Sequence, residues 1–140
     1  MRWKTKTLFN SKPATHEAIT KLKLASPVDL PESYLEFLEF SNSGEWDLEL
    51  QPFVFVSDSA ETVTSSIANR EYEEFFPGFI MIGSNGAGEY ISFDTRQDRP
   101  WPVVAIDKTN TDLSESVLRI SPDFETFLDH LGFEPSENKF

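Results

Sequence analysis

Between residues 30 and 46 the apolar positions recur every three to four residues. Tyr34, Leu35, Phe37 and Leu38 share one side of a 3.6-residue period, and Glu36 and Glu39 stand opposite. The pattern predicts an amphipathic helix with a buried face and an acidic face. Asp29 marks its start as a capping residue, with Glu32 reaching back as in a capping box and Pro31 in the first turn, where a missing N–H costs nothing. Asn42 and Gly44 mark its end, being residue types that readily take left-handed backbone.

The flanking pattern predicts a short helix before it and a sheet after it. Thr15 caps a segment from His16 to Leu22 with Ile19 and Leu22 facing inward, and Ala25–Val28 is a connector. An edge strand or arm around Trp3 to Phe9 precedes it. After Trp46 the period drops to about two, through Leu48 and Leu50 and then Phe53–Val56. Asp58 and Ser59 offer caps for a helix through Arg70 with Val63 and Ile67 inward, closed by the turn at Pro77-Gly78. Strands follow at Phe79–Ile82 (apolar throughout, hence central), Glu89–Phe93 and Pro102–Ile106, with one more short strand at Ser116–Ile120. A final helix carries Phe124, Phe127, Leu128 and Leu131 at i, i+3, i+4, i+7. Ser121 caps it, Pro122 and Asp123 fill its first turn, and Gly132 ends it. The expected class is α+β. One domain spans 1–140, with its core at about 15–132 and a tail at 133–140.

Composition changes this picture little. The 140 residues suffice for one core, 13 Phe argue for a packed globule, and the absence of Cys excludes disulfides and thiolate metal sites. The basic N-terminus is followed by no apolar h-region, and no apolar run approaches a membrane span, so a soluble cytoplasmic protein is expected.

Charge changes it more. Twelve bases oppose 24 acids, a net of −12. Residues 1–24 hold six of the bases and a single acid, so the remainder carries six bases against 23 acids. The 46 residues between Lys23 and Arg70 contain no base. Such a surface repels nucleic acid and anionic membranes and steers basic proteins toward itself. The candidate protein-binding residues are Glu36, Glu39, Glu45, Trp46, Asp47, Glu71, Glu73, Glu74 and Asp94.

Catalytic readings fare poorly. In Gly83–Gly88 the terminal glycines have phosphate-loop spacing, but Glu89-Tyr90 stand where Lys and Ser/Thr belong, and the segment joins two strands. A tight turn needing positive φ is the better reading. His16 and His130, the only histidines, fall at helix ends, and no Gly-x-Ser-x-Gly elbow occurs. Two His without Cys exclude the usual zinc sets, and Asp107–Asp112 lacks the Gly and terminal Glu of a calcium loop. Carboxylate pairs for glycoside hydrolysis stay open, although nothing singles one out. No cofactor, metal or catalytic residue is assigned.

Leu30-Pro31-Glu32-Ser33-Tyr34-Leu35-Glu36-Phe37-Leu38 with Asn42-Ser43-Gly44 resembles the first signature of the SUKH superfamily, Smi/Knr type. Ile82-Gly83-Ser84-Asn85-Gly86-Ala87-Gly88-Glu89-Tyr90-Ile91-Ser92-Phe93-Asp94 is similar to its hairpin signature. Val103-Val104 followed by Asp107, then Ser121-Pro122-Asp123-Phe124-Glu125-Thr126-Phe127-Leu128, resembles its closing strand and helix. Ser43 and Ala87 depart from the family's glycines, both at turns. The resemblance implies a curved antiparallel sheet flanked by N-terminal, middle and C-terminal helices. It also implies a non-enzymatic role: a bacterial immunity protein that neutralises a toxin, often a nuclease, or a regulator of glucan and cell-wall synthesis like the fungal relatives. The partner expected from charge and resemblance together is a basic toxin domain.

Overall fold

A computed structural model describes residues 2–133. Its elements are α1 (Arg2–Thr5), β1 (Thr7–Asn10), α2 (His16–Ala25), α3 (Glu32–Phe40), β2 (Gly44–Asp47), β3 (Val54–Ser57), α4 (Ala60–Ala68), β4 (Phe79–Ser84), β5 (Glu89–Asp94), β6 (Val103–Asp107), α5 (Leu113–Ser116), β7 (Val117–Ser121) and α6 (Phe124–Leu128). The expected tail lies outside the described residues from 134 onward.

The strands form one antiparallel sheet in the order β1 to β7, each beside its neighbour in sequence. Strand alternation sends Phe55, Ile80, Ile82, Ile91, Phe93, Val103 and Ala105 to one face, where they pack with residues of α2, α3, α4 and α6. It sends Phe79, Met81, Val104 and Ile106 to the other, where Tyr72, Phe76 and Leu113 cover them. β4 is buried on both faces, as its unbroken apolar run predicts. The chain is thus a single α+β unit with its main core between sheet and helices.

Local signals set some boundaries correctly. The Thr15 hydroxyl accepts from the Ala18 amide at 3.1 Å and the Ser59 hydroxyl from the Thr62 amide at 3.1 Å, capping α2 and α4. Others are corrected. α3 begins at Glu32 because Pro31 holds the capping position without a side-chain bond, and its carbonyl accepts from Tyr34 at 3.0 Å and Leu35 at 3.2 Å. Asp29 lies three residues from the first helical residue, and its carboxylate approaches Arg99 at 3.9 Å. The helix stops at an extended Ser41, and Gly44 belongs to β2. Gly44 is required there by proximity: a Cβ would stand 2.6 Å from the Phe9 carbonyl oxygen. Asn42 caps the next helix instead, accepting from the Ala60 amide at 2.8 Å and donating to Glu61 at 2.7 Å.

Trp3 to Thr5 is helical, and only Thr7–Asn10 forms the edge strand. The strand expected at Leu48–Leu50 comes earlier, at Gly44–Asp47, because residues 48–53 form the turn that joins β2 to β3: the Leu48 amide donates to the Phe53 carbonyl at 3.0 Å and the Phe53 amide to the Leu50 carbonyl at 2.7 Å, while Leu48 bridges Leu131. The last strand runs Val117–Ser121. α6 is capped by Asp123, whose carboxylate accepts from the Thr126 amide at 2.7 Å, while Ser121 donates to the Asp123 carbonyl at 2.8 Å.

Candidate functional site

α3 and α6 lie side by side, and the chemistry of their contact follows from their periods. Tyr34, Leu35, Phe37 and Leu38 turn inward from α3, and Phe124, Phe127 and Leu128 turn inward from α6. The remaining positions, Glu32, Glu36 and Glu39 on one helix and Glu125 with Asp129 just beyond the other, are all exposed. Between the helices a groove of about 490 Å³ opens, walled by Glu32, Ser33 and Glu36 on one side and Glu125 and Asp129 on the other. Trp3 and Leu128 contribute its apolar lining, and Lys4 stands at its margin. Glu39 continues the acidic row along α3.

Among the described residues, no cation lies within ion-pair distance of Glu32, Glu36, Glu39, Glu125 or Asp129. The base that lines the groove, Lys4, places its amine 5.4 Å from the Trp3 ring and 5.6 Å from the Phe40 ring. Trp3 is itself held hard. Its ring packs at 5.2 Å from both Phe37 and Phe40, and its carbonyl accepts the Trp46 indole N–H at 2.6 Å. Arg2 beside it donates to the Gly132 carbonyl at 2.8 Å and lies 4.1 Å over the Phe133 ring. The groove therefore has a closely packed aromatic lining and exposed carboxylate walls.

The nine candidate residues do not form one surface. Glu36 and Glu39 are on the helical side, and only Glu36 lines the groove. Glu45 and Asp47 flank an inward Trp46 and so point to the opposite face of the sheet, where Glu45 registers with Phe9 and Val56. Glu71, Glu73 and Glu74 are exposed on the segment whose Tyr72 and Phe76 cover that same far face. Trp46 is corrected outright. It is wholly buried against Phe37 and Phe55, and no partner reaches it.

Asp94 is corrected as well. It is buried, and it accepts two charge-assisted bonds of 2.9 Å from the Arg96 guanidinium and one of 3.1 Å from the Arg96 amide. Burial raises its carboxyl, but the Arg96 bonds outweigh burial and hold it below the ordinary range. Its stabilising contribution is therefore present above the unfolded carboxyl's pKa and is lost as pH falls through the lowered folded value. Arg96→Gln is expected to cost about 1–2 kcal/mol at neutral pH, because Arg96 is partly exposed, and to shrink that acid-limb contribution to what the retained backbone amide bond supplies. Urea unfolding at a series of pH values from neutral to acid reads both; an unchanged acid limb contradicts the pairing.

Elsewhere, Asp58 is lifted above the ordinary range, mainly by burial, with Lys108 opposing and Glu71 adding to the lift. The described residues include no group of three or more His, Asp or Glu placed to hold a metal, and no helix among them is long and apolar enough to cross a membrane.

Sequence reasoning missed Trp3, Lys4, Glu125 and Asp129 and read Glu32 only as a cap. The outward positions of α6 carried a signal, since the inward Phe124, Phe127 and Leu128 force Glu125 and Asp129 to the surface. The glycine-rich hairpin joins β4 to β5. Its geometry comes from Asn85, whose side-chain oxygen accepts from the amides of Ala87 and Glu89 at 3.0 and 3.1 Å, and from Gly86 at φ 78°. It is a structural turn. A family model described as SMI1 / KNR4 family (SUKH-1) matches residues 13–130. No curated protein matches the chain.

Proposed function

The chain belongs to the SMI1 / KNR4 (SUKH-1) family, and from that premise we propose that it is a non-enzymatic immunity protein that captures a basic toxin domain on its helical face. The observation that supports this reading is the row of Glu32, Glu36, Glu39, Glu125 and Asp129, exposed on two adjacent helices and without an ion-pairing base among the described residues. A passive surface tends to pair its charges, whereas these five acids have no base at ion-pair distance among the described residues. Carboxylates already paired internally would have to give up those partners on binding. Unpaired ones keep their full field available for steering, which raises association rates toward about 10⁸–10⁹ M⁻¹s⁻¹ at low salt. A nuclease carries the complementary charge on the surface that holds its anionic substrate.

The test is to screen the protein domains encoded beside this gene for capture by the chain and for toxicity, followed by association kinetics at several salt concentrations. The expected result is a stable complex whose association rate falls steeply with ionic strength. Reversing Glu32, Glu36, Glu125 and Asp129 to Lys should weaken it by more than about 100-fold, since each like-charge juxtaposition at an interface is costly. Absence of a complex, or a complex indifferent to salt, overturns the proposal. A partner without a toxic domain favours the regulatory-scaffold role of the cell-wall type.

A further inference from the structure

The chain lays one of its own cations against this groove. The Lys4 amine lies over the Trp3 and Phe40 rings at 5.4 and 5.6 Å and lines the same space as Glu32, Glu36, Glu125 and Asp129. We infer that this groove is the anchoring pocket for an arginine side chain presented by the basic partner, and that Lys4 is an internal competitor which the arginine displaces. The inference deepens the reading above, which gives the helical face a basic partner.

Three features carry it. The first is fit: about 490 Å³ admits a whole guanidinium side chain together with part of the segment that bears it. The second is chemistry. Trp3 is only 6 % exposed, with the Lys4 amine over its ring, so an incoming guanidinium takes the place of that amine over the indole and still sends N–H groups sideways to the carboxylates. An ammonium has three donors around one point and lacks the planar fork. Lys4 accordingly sits at the margin over the rings, with no carboxylate of the described residues at ion-pair distance. The third is mobility. The backbone beneath Lys4 is pinned by the Trp46 indole bonding the Trp3 carbonyl and by Arg2 bonding Gly132, so binding requires only the exposed Lys4 side chain to swing away. α1 stays in place and the Trp3 lining is preformed, which limits the ordering cost of binding.

The experiment uses the full chain, a blocked hexa-arginine peptide, a matched hexalysine peptide and a neutral Gly/Ser hexapeptide. The Trp3 indole N–H resonance is followed, with the Trp101 indole, which is bonded to the Gln97 carbonyl at 3.1 Å, as internal reference. The expected result is a saturable shift at Trp3 with hexa-arginine, a weaker one with hexalysine and none with the neutral peptide. Glu36→Gln/Glu125→Gln should weaken arginine binding at least about tenfold, whereas Glu74→Gln/Asp98→Asn, two exposed acids outside the groove, removes the same charge with an effect below about twofold. Lys4→Ala should tighten binding about three- to fivefold, the range of an exposed cation–π contact. Lys23→Ala, which removes a base on α2, should not. Non-saturable shifts, equal effects of the two acid pairs, or a Lys4→Ala variant no tighter than Lys23→Ala each overturn the inference. No toxin is needed, so the two proposals fail separately. Saturable groove binding beside failed toxin capture overturns only the immunity role. Toxin capture undisturbed by Glu36→Gln/Glu125→Gln overturns only the groove.

Discussion

Phe37→Ala is expected to lower the unfolding free energy by about 3–5 kcal/mol, read from the midpoint and slope of guanidinium denaturation. The magnitude follows from where the ring sits. Phe37 is fully buried, with ring centroids of Trp46, Trp3, Phe124 and Phe55 at 4.9, 5.2, 5.6 and 5.9 Å. Those four rings come from β2, α1, the start of α6 and β3, so one side chain ties together four separate parts of the chain. The cavity left by alanine has little means of closing. Trp46 is held by its bond to the Trp3 carbonyl, Phe55 packs against Phe127 at 5.0 Å, and Phe124 packs against Tyr34 at 5.3 Å. A cavity that stays open adds to the lost transfer energy. Because such domains are stable by only about 5–15 kcal/mol, the variant should sit near the threshold of folding. Phe37→Leu should recover much of the loss. A cost below about 2 kcal/mol for Phe37→Ala means that the cluster collapses, and it contradicts the closely packed aromatic lining on which the groove depends.

Gly83→Ala is the second large effect, expected at about 1–3 kcal/mol and toward the upper end. A Cβ at Gly83 would stand 2.3 Å from the Val56 carbonyl oxygen, 2.9 Å from the Phe55 ring and 3.2 Å from the Ser57 Cα. Two of these three neighbours are backbone, which cannot rotate out of the way. The paired strands are also joined by little. β3 meets β4 only through Val56↔Ser84 and Ser57↔Gly83, so a shift that relieves the clash loosens half of that register. Gly88→Ala is the matched control. Nothing lies within 4 Å of its added Cβ, and the change is expected to stay within about 1 kcal/mol of neutral. Equal effects at the two glycines would mean that the strands separate without cost.

Gly83 also shows where sequence reading has its limits. A glycine-rich run between two strands is legible as a turn, and Gly86 with its positive φ meets that expectation. Gly83 and Gly44 are glycines for a different reason. Each lies within a strand where another strand's carbonyl oxygen comes too close for a side chain. Approach between distant segments leaves no local signature, so both read as turn residues.

The same distinction divides the helix caps. Thr15 and Ser59 bond amides three residues away, a relation that the local chain contains in full. Asn42 reads as a helix stop, yet its side chain bonds Ala60 and Glu61, partners that exist only once α4 folds against it. By its acidic neighbours Glu45 and Asp47, Trp46 reads as a surface residue. In a strand, that spacing places the neighbours on one face and the tryptophan on the other.

What the sequence by itself determined is the inward face of the major helices, the central place of β4, the large excess of acid over base and the family resemblance. These follow from period, composition and short motifs, which are properties of neighbouring residues. The tertiary structure alone decided which acids act together. It separated Glu36 from Glu45 and Glu71 by the thickness of a sheet. It brought Glu32 and Glu36 beside Glu125 and Asp129 from about 90 residues apart in the chain, with Trp3 in the same lining. The physical reason is that periodicity states which side of an element avoids water. The choice of neighbour belongs to long-range packing, and here Phe37 and Phe124, meeting at 5.6 Å, make that choice.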